Sequence, residues 1–492
     1  MSHFFKVVLF TLVQAACSTG VAALIGIPAA FFCSRRKFFG RKLLLSFSII
    51  PVCIPALIVA LGYVTFLGMN GGLNQFLMFV FNLEEPPVKI LYSFLGLILA
   101  QGFYNFPLVM KNVADVWERI PSEPAESARL LGAGEFRIFK TVTFYQLIPS
   151  ILSSTLLVFI YCFLSFILVL LFGGIGNSTL EVEIYKASRA TLDFKNAAFL
   201  GLAETIILCL ITIFYSIIEQ KNSHSKGINS QVIFKRKSLS LREIVPFLII
   251  LLLITLFFIA PLAGIGINAF TTAKKGSGFT FSTFEKVFKM KTFIPSVITT
   301  LKIALCTGFF CMILGFLYSV LLRFVEKKSG KKLNLLLKVI PMLPMCVSSV
   351  VVGVLIIMMV KRGNGIILVT AQTLLFWPLA FRVIYPQLSK ISDSTIDSAV
   401  MISKNKFDII RRVLLPVSKK SLISAFGFCF AVSAGDTTLP LVMAIPKFDT
   451  LSLFTYRLAG AYRFNEACAA GLLLGILCIF VYLLSNRLVK SK

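Results

Sequence analysis

The chain has 492 residues, 57% of them hydrophobic and only 14% charged, with a mean hydropathy of +0.90; a water-soluble globular domain could not hide that much apolar surface. The formal charge of +28 comes from Lys and Arg in short clusters between apolar runs, a pattern of anchoring at a membrane surface and not of nucleic-acid binding. Eleven cysteines without a CxxC pair, and only His3 and His224 as histidines, support neither a zinc site nor a disulfide framework, so the cysteines read as small core residues.

Runs long enough to cross about 30 Å of hydrocarbon as helix predict an all-α integral membrane protein. Eleven spans are expected, at 5–33, 43–68, 89–111, 147–173, 196–219, 244–270, 294–323, 335–361, 364–388, 421–443 and 466–486. The start, MSHFFKVVLF, resembles a signal peptide, but its apolar stretch continues to about Phe32 without a small-residue cleavage site and reads as a retained span. The connections 34–42, 220–243 and 324–334 and the closing NRLVKSK are basic and share one side, which the positive-inside rule makes the cytoplasm. The N-terminus is then outside. The connection 271–293 is also outside despite five lysines, and its alternation FTFSTFEKVFKM suggests an interfacial amphipathic piece.

The chain repeats itself. A constant shift of 271 in numbering pairs Ala100-Gln101 with Ala371-Gln372, Phe106-Pro107-Leu108 with Trp377-Pro378-Leu379, Ser127-Ala128 with Ser398-Ala399 and Tyr185 with Tyr456. Upstream the shift is 290, pairing Gly40 with Gly330 and Ile50-Pro51 with Ile340-Pro341. Two parallel repeats are therefore expected: 1–219 with about five spans and a polar loop at 112–146, and 244–492 with about six and a loop at 389–420. The polar stretch 220–243 reads as a cytoplasmic linker.

Each loop, PSEPAESARLLGAGEFRIFKTVTFYQLIP in the first repeat and DSTIDSAVMISKNKFDIIRRVLLP in the second, spaces its apolar residues by three and four, as two short amphipathic helices about a turn. These residues resemble the EAA loop of ABC importer permeases, E-A-A-x-x-x-G followed by an aliphatic residue and proline. Glu126-Ser127-Ala128 with Gly132-Ala133 and Val142 fit, although Phe144-Tyr145 replaces Leu-Pro. In the second loop Asp397-Ser398-Ala399 and Ser403 depart from the pattern, whereas Val413, Leu415 and Pro416 follow it. The resemblance implies that both loops dock on a separate ATPase subunit, two copies in all, and that an extracytoplasmic binding protein delivers the substrate. It further implies that this chain binds no cofactor, with ATP and Mg held by the partner. No G-x-x-x-x-G-K-[ST] occurs in the chain, so an enzyme activity of its own is not expected.

Fused, double-length permeases of this kind resemble the thiamine and ferric-iron importers, and the stretches GGIGNSTLEVEIY, SAGD and FDTLSLFTYRLAGAYRFNEACAAG are most similar to the thiamine permeases, which makes thiamine the expected substrate. That family usually has one more span at the start. Acidic residues within spans are costly, so Glu204 and Asp436, with Thr437, are expected to line a path for a cation, and Gln101, Asn105 and Gln372 to lie along it or to bond helices together. The alternative for the acids is structural: Asp436 bonding near a helix break, Glu204 paired with a polar neighbour. Asp436→Asn is expected to impair transport more than Glu204→Gln. An iron permease and an ion-coupled secondary transporter remain the alternatives, the latter giving the paired loops no purpose.

Overall fold

A computed structural model of the chain describes residues 3–490 apart from 122, 174–177, 226–235, 272–278, 327–329, 361–362, 404 and 447. Nearly all of it is helix. Among the described residues, nine helices are long and apolar enough to cross a membrane, and the pair Leu337–Cys346 and Ser349–Met359, bent by 76°, makes a tenth if taken as one broken span. The eleventh expected span is the helix Phe94–Trp117, whose inward polar residues and Lys111–Asp115 pair lower its hydropathy.

The repeat is visible in where helices begin. Ser93 caps Phe94–Trp117 by accepting from the Gly96 amide at 3.2 Å, and Asn364, its counterpart at the downstream shift, caps Gly365–Leu388 by accepting from the Ile367 amide at 2.9 Å. The helix Phe144–Phe163 breaks before Phe166–Phe172; its counterpart Leu415–Gly435 breaks before Thr438–Met443. Upstream, His3–Arg35 corresponds to Phe293–Glu326 at the shift of 290.

The chain divides into two units. The first comprises 1–51, 62–182 and 210–264, and the second 52–61, 183–209 and 265–492. The second unit thus takes in two pieces of the first repeat. The first packs His3–Arg35, Phe94–Trp117 and Phe144–Phe163 together, with Phe106, Val109, Met110 and Val158 fully buried. The second packs the corresponding Phe293–Glu326, Gly365–Leu388 and Leu415–Gly435 about Cys311, Ala380, Ile384, Leu414 and Cys429.

Within the first unit the described end of the linker is tied to the start of the chain. Lys237–Ser238 pairs in parallel with Arg36–Lys37, and the Arg36 guanidinium is bound to Glu243 through Nε at 2.7 Å. Arg41 and Arg236 share Glu118. The middle of the linker, 226–235, lies outside the described residues. In the second unit the amphipathic piece expected at 271–293 contains the short helix Ser282–Phe288, beneath a cluster of Phe270, Phe279, Phe281 and Phe284.

Candidate functional site: two paired loops and a buried polar line

In the first loop Glu123–Leu130 forms one short helix and Glu135–Ile138 begins the next. The turn between them places Gly132 at φ +80°, a left-handed conformation that a side chain strains. Arg129 and Glu135 bridge this turn, Nε to Oε1 at 2.6 Å. The second loop repeats the arrangement with Asp393–Ile402 and Lys406–Ile409, but turns at Ser403 with φ −89° and ψ 140°, open to any residue. Ser392 caps it in place of a bridge, accepting from the Thr395 amide at 3.2 Å. Both loops enter the following long helix through one π-helical turn, Phe139–Thr143 and Ile410–Leu414, which correspond at the same shift as the caps. Such turns are uncommon and tend to occur where a helix does work.

The apolar residues of the loops face out. Leu130, Leu131 and Phe136 are exposed, and so are Met401, Ile402 and Phe407 at the matching positions; Leu130 and Met401 are both 90% exposed. Glu126, Ser127, Asp397 and Ser398 are exposed beside them, Ala128, Ala133 and Ala399 half-buried, and Pro416 exposed at the start of the following helix. Each loop thus carries a matched set of exposed apolar side chains at its tip.

A line of buried polar groups runs through each unit. In the first, Ser18 donates to Gln101 Oε1 at 2.9 Å, while Gln101 Nε2 has no partner among the described residues. Asn105 donates to the Gln101 carbonyl at 3.0 Å. In the second unit Thr307 and Ser433 donate to Gln372 Oε1 at 3.2 and 2.6 Å, and Gln372 Nε2 donates to Asp436 Oδ2 at 3.0 Å. Asp436 Oδ1 accepts from the Thr438 and Leu439 amides at 3.0 and 3.4 Å, capping the helix after the break, where Thr437 is buried. At the position that corresponds to Asp436 the first repeat has Ser165, a hydroxyl in place of a carboxylate.

Glu204 has none of these bonds. It is fully buried within Phe194–Ser225, and neither carboxylate oxygen has a hydrogen-bond partner among the described residues. The Ser348 hydroxyl is the polar group beside it. A central acid costs about 2.5–3.5 kcal/mol on insertion scales, and among the described residues a single hydroxyl stands by to offset it.

Residues 22–223 and 315–491 match the family described as binding-protein-dependent transport system inner membrane component. The chain belongs to that family. As an inner membrane component it is a multi-pass protein of the bacterial inner membrane and a transport subunit, matched once in each repeat. It is 23% identical to the thiamine transport system permease protein ThiP of Brucella abortus (strain 2308), over 100% of this chain and 89% of that protein. Identity to ThiP of Escherichia coli (strain K12) is 24%, covering 99% and 89%, and to that of Haemophilus influenzae 25%, covering 96% and 88%. A crystal structure of a bacterial alginate ABC transporter in complex with a pentasaccharide-bound periplasmic protein is 18% identical, covers 51% of this chain and 94% of the matched chain, and has a TM-score of 0.40.

In this inner membrane component the sequence-assigned residues fall into three groups. The loop residues lie together on each loop. Gln372, Asp436 and Thr437 gather at one helix break, and Gln101 and Asn105 lie on one helix; Glu204 stands apart from both. Sequence reasoning missed Ser433, Thr307 and Ser348, single hydroxyls in apolar runs that only the fold brings to an amide or an acid.

Proposed function

We propose that this chain is the membrane-spanning permease of a thiamine importer, with both repeats in one polypeptide. A soluble binding protein delivers thiamine from outside, and two copies of a separate ATPase subunit, carrying ATP and Mg, dock on the loops 112–146 and 389–420. The observation that carries the reading is the likeness to thiamine permeases over nearly the whole chain, both loops included. The matched exposed tips, Leu130-Leu131-Phe136 and Met401-Ile402-Phe407, support two equivalent docking contacts. Alternating access follows: closure of the ATPase pair moves the loops, and the π-helical turns carry that movement into helices of the two polar lines.

Uptake decides it. Proteoliposomes holding this chain and its ATPase, given the binding protein outside and ATP inside, should accumulate radiolabelled thiamine saturably and only with ATP. Accumulation of ferric iron without thiamine, or uptake driven by an ion gradient in the absence of ATP, would overturn the assignment.

A further inference from the structure

Packing alone does not call for an acid at Glu204, and among the described residues the polar group beside it is the single Ser348 hydroxyl. Counted from the glycine that each helix presents to a neighbour, the second repeat gives the comparison. Gly201 is met by Val351, 3.2 Å from where a Cβ would stand, and Gly471 by Ile58 at 3.6 Å. Phe194 and Phe464 begin the two helices, and Leu192 and Tyr462, with φ +55° and +58°, hold the turns before them, so the shift in this last span is 270. One turn beyond the glycine stands Glu204 in one helix and Leu474 in the other, both 0% exposed. The same packing is thus made once with leucine. Asp436, in contrast, is held by an amide side chain and two backbone N–H groups, and needs no function beyond its bonds.

The surroundings of Glu204 differ between the repeats in the same sense. Its neighbour Ser348 lies at the 76° break of a span and begins the helix Ser349–Met359, accepting the Val352 amide on its carbonyl at 3.1 Å. Pro55 begins the equivalent helix, Ala56–Leu67, accepting the Val59 amide at 3.4 Å. Each packing joins the last helix of one repeat to a helix start of the other: Glu204 of the first meets Ser348 of the second at a broken span, whereas Leu474 of the second and Pro55 of the first hold the matching places. A break is where a span can open without sacrificing its helical bonds, and irregular backbone at membrane depth belongs with a cavity or a path.

We infer that Glu204, with Ser348 beside it, is a one-sided membrane-embedded counter-charge for an organic cation passing through the protein, a site whose repeat-related position carries Leu474 in place of the acid. It rests on the reading of the substrate as thiamine, a positively charged aromatic. In the conformation described the acid is closed off, and opening at the Ser348 break exposes it to the cation; Asp436 takes no part.

Two arms test it in the intact complex with ATPase and binding protein. In the wild type, radiolabelled dicyclohexylcarbodiimide, which adds a buried carboxyl across its N=C bond and rearranges to a stable N-acylurea, should mark the Glu204 peptide. Thiamine-loaded binding protein with ATP should lower that labelling about twofold or more relative to unloaded binding protein with ATP; unchanged or increased labelling overturns the site. In the second arm, Glu204→Leu, the residue the other repeat uses, and Glu204→Gln should each lower thiamine uptake about tenfold or more, with Glu204→Asp retaining more than either. Uptake within about twofold of wild type for Leu or Gln, or Asp no better than Leu, overturns it. Variants that fail to reach the membrane leave the decision to the labelling. Wild-type thiamine uptake reads the substrate assignment by itself, so its failure is distinguishable from a failure of Glu204.

Discussion

At the scale of single residues, the two intramembrane acids separate by their bonds. The sequence ranks Asp436 above Glu204 for transport; the role proposed above for Glu204 ranks them the other way, and both oxygens of Asp436 are bonded within the protein. Asp436→Ala removes a helix cap and leaves the Gln372 amide unpaired, and should cost about 2 kcal/mol or more, read as a lower unfolding midpoint in detergent. Asp436→Asn should cost less, because Gln372 can turn its amide and Thr307 and Ser433 can accept as well as donate. Glu204→Leu should leave the midpoint unchanged or raise it, since it removes a buried acid beside which, among the described residues, stands a single hydroxyl. A lowered midpoint would mean that the carboxyl is structurally bonded. Gly132 illustrates strain without crowding: an added Cβ meets nothing within 4 Å, but φ is +80°. Gly132→Ala and Gly132→Val should therefore weaken ATPase retention alike, by about 1–2 kcal/mol of loop distortion, whereas Ser403→Val should be nearly silent. Retention on an affinity-tagged permease measures all three.

At the scale of elements, the loops should fail by their tips and not by their folds. Phe136 and Phe407 are exposed, so Phe136→Ala or Phe407→Ala removes contact area from a partner and little from the protein itself. Each should lower ATPase retention about tenfold or more, as loss of an aromatic anchor commonly does, with the amount of permease in the membrane unchanged. Wild-type retention by both variants would remove these side chains from the docking contact. The first loop is supported by the linker strand Lys237–Ser238 against Arg36–Lys37, secured by Arg36–Glu243 and by Arg236 on Glu118, and the second by Arg323, which donates to the Ile391 carbonyl and to Asp393. Glu243→Gln should cost at most about 1 kcal/mol, because the pair is partly exposed, and its effect should appear as faster proteolysis of the linker.

At the scale of the whole molecule, the sequence made the repeat legible because helix caps, glycines and prolines recur at fixed offsets, and Ser93 with Asn364 or Gly132 with Ser403 can be paired by counting alone. The turn at Gly132 was legible for the same local reason. Hidden from it were long-range facts: that 52–61 and 183–209 pack with the second unit, that the last span matches at 270, and that Glu204 meets a lone serine from a distant span. Periodicity reports which face of a helix is apolar, not which helix covers it. The central claim is that one chain supplies both halves of the path and both docking loops. The mass of the complex purified in mild detergent tests it most directly: one copy of this chain with two copies of the ATPase is the result expected, and a complex holding two copies of this chain, or one that retains no ATPase, would contradict it.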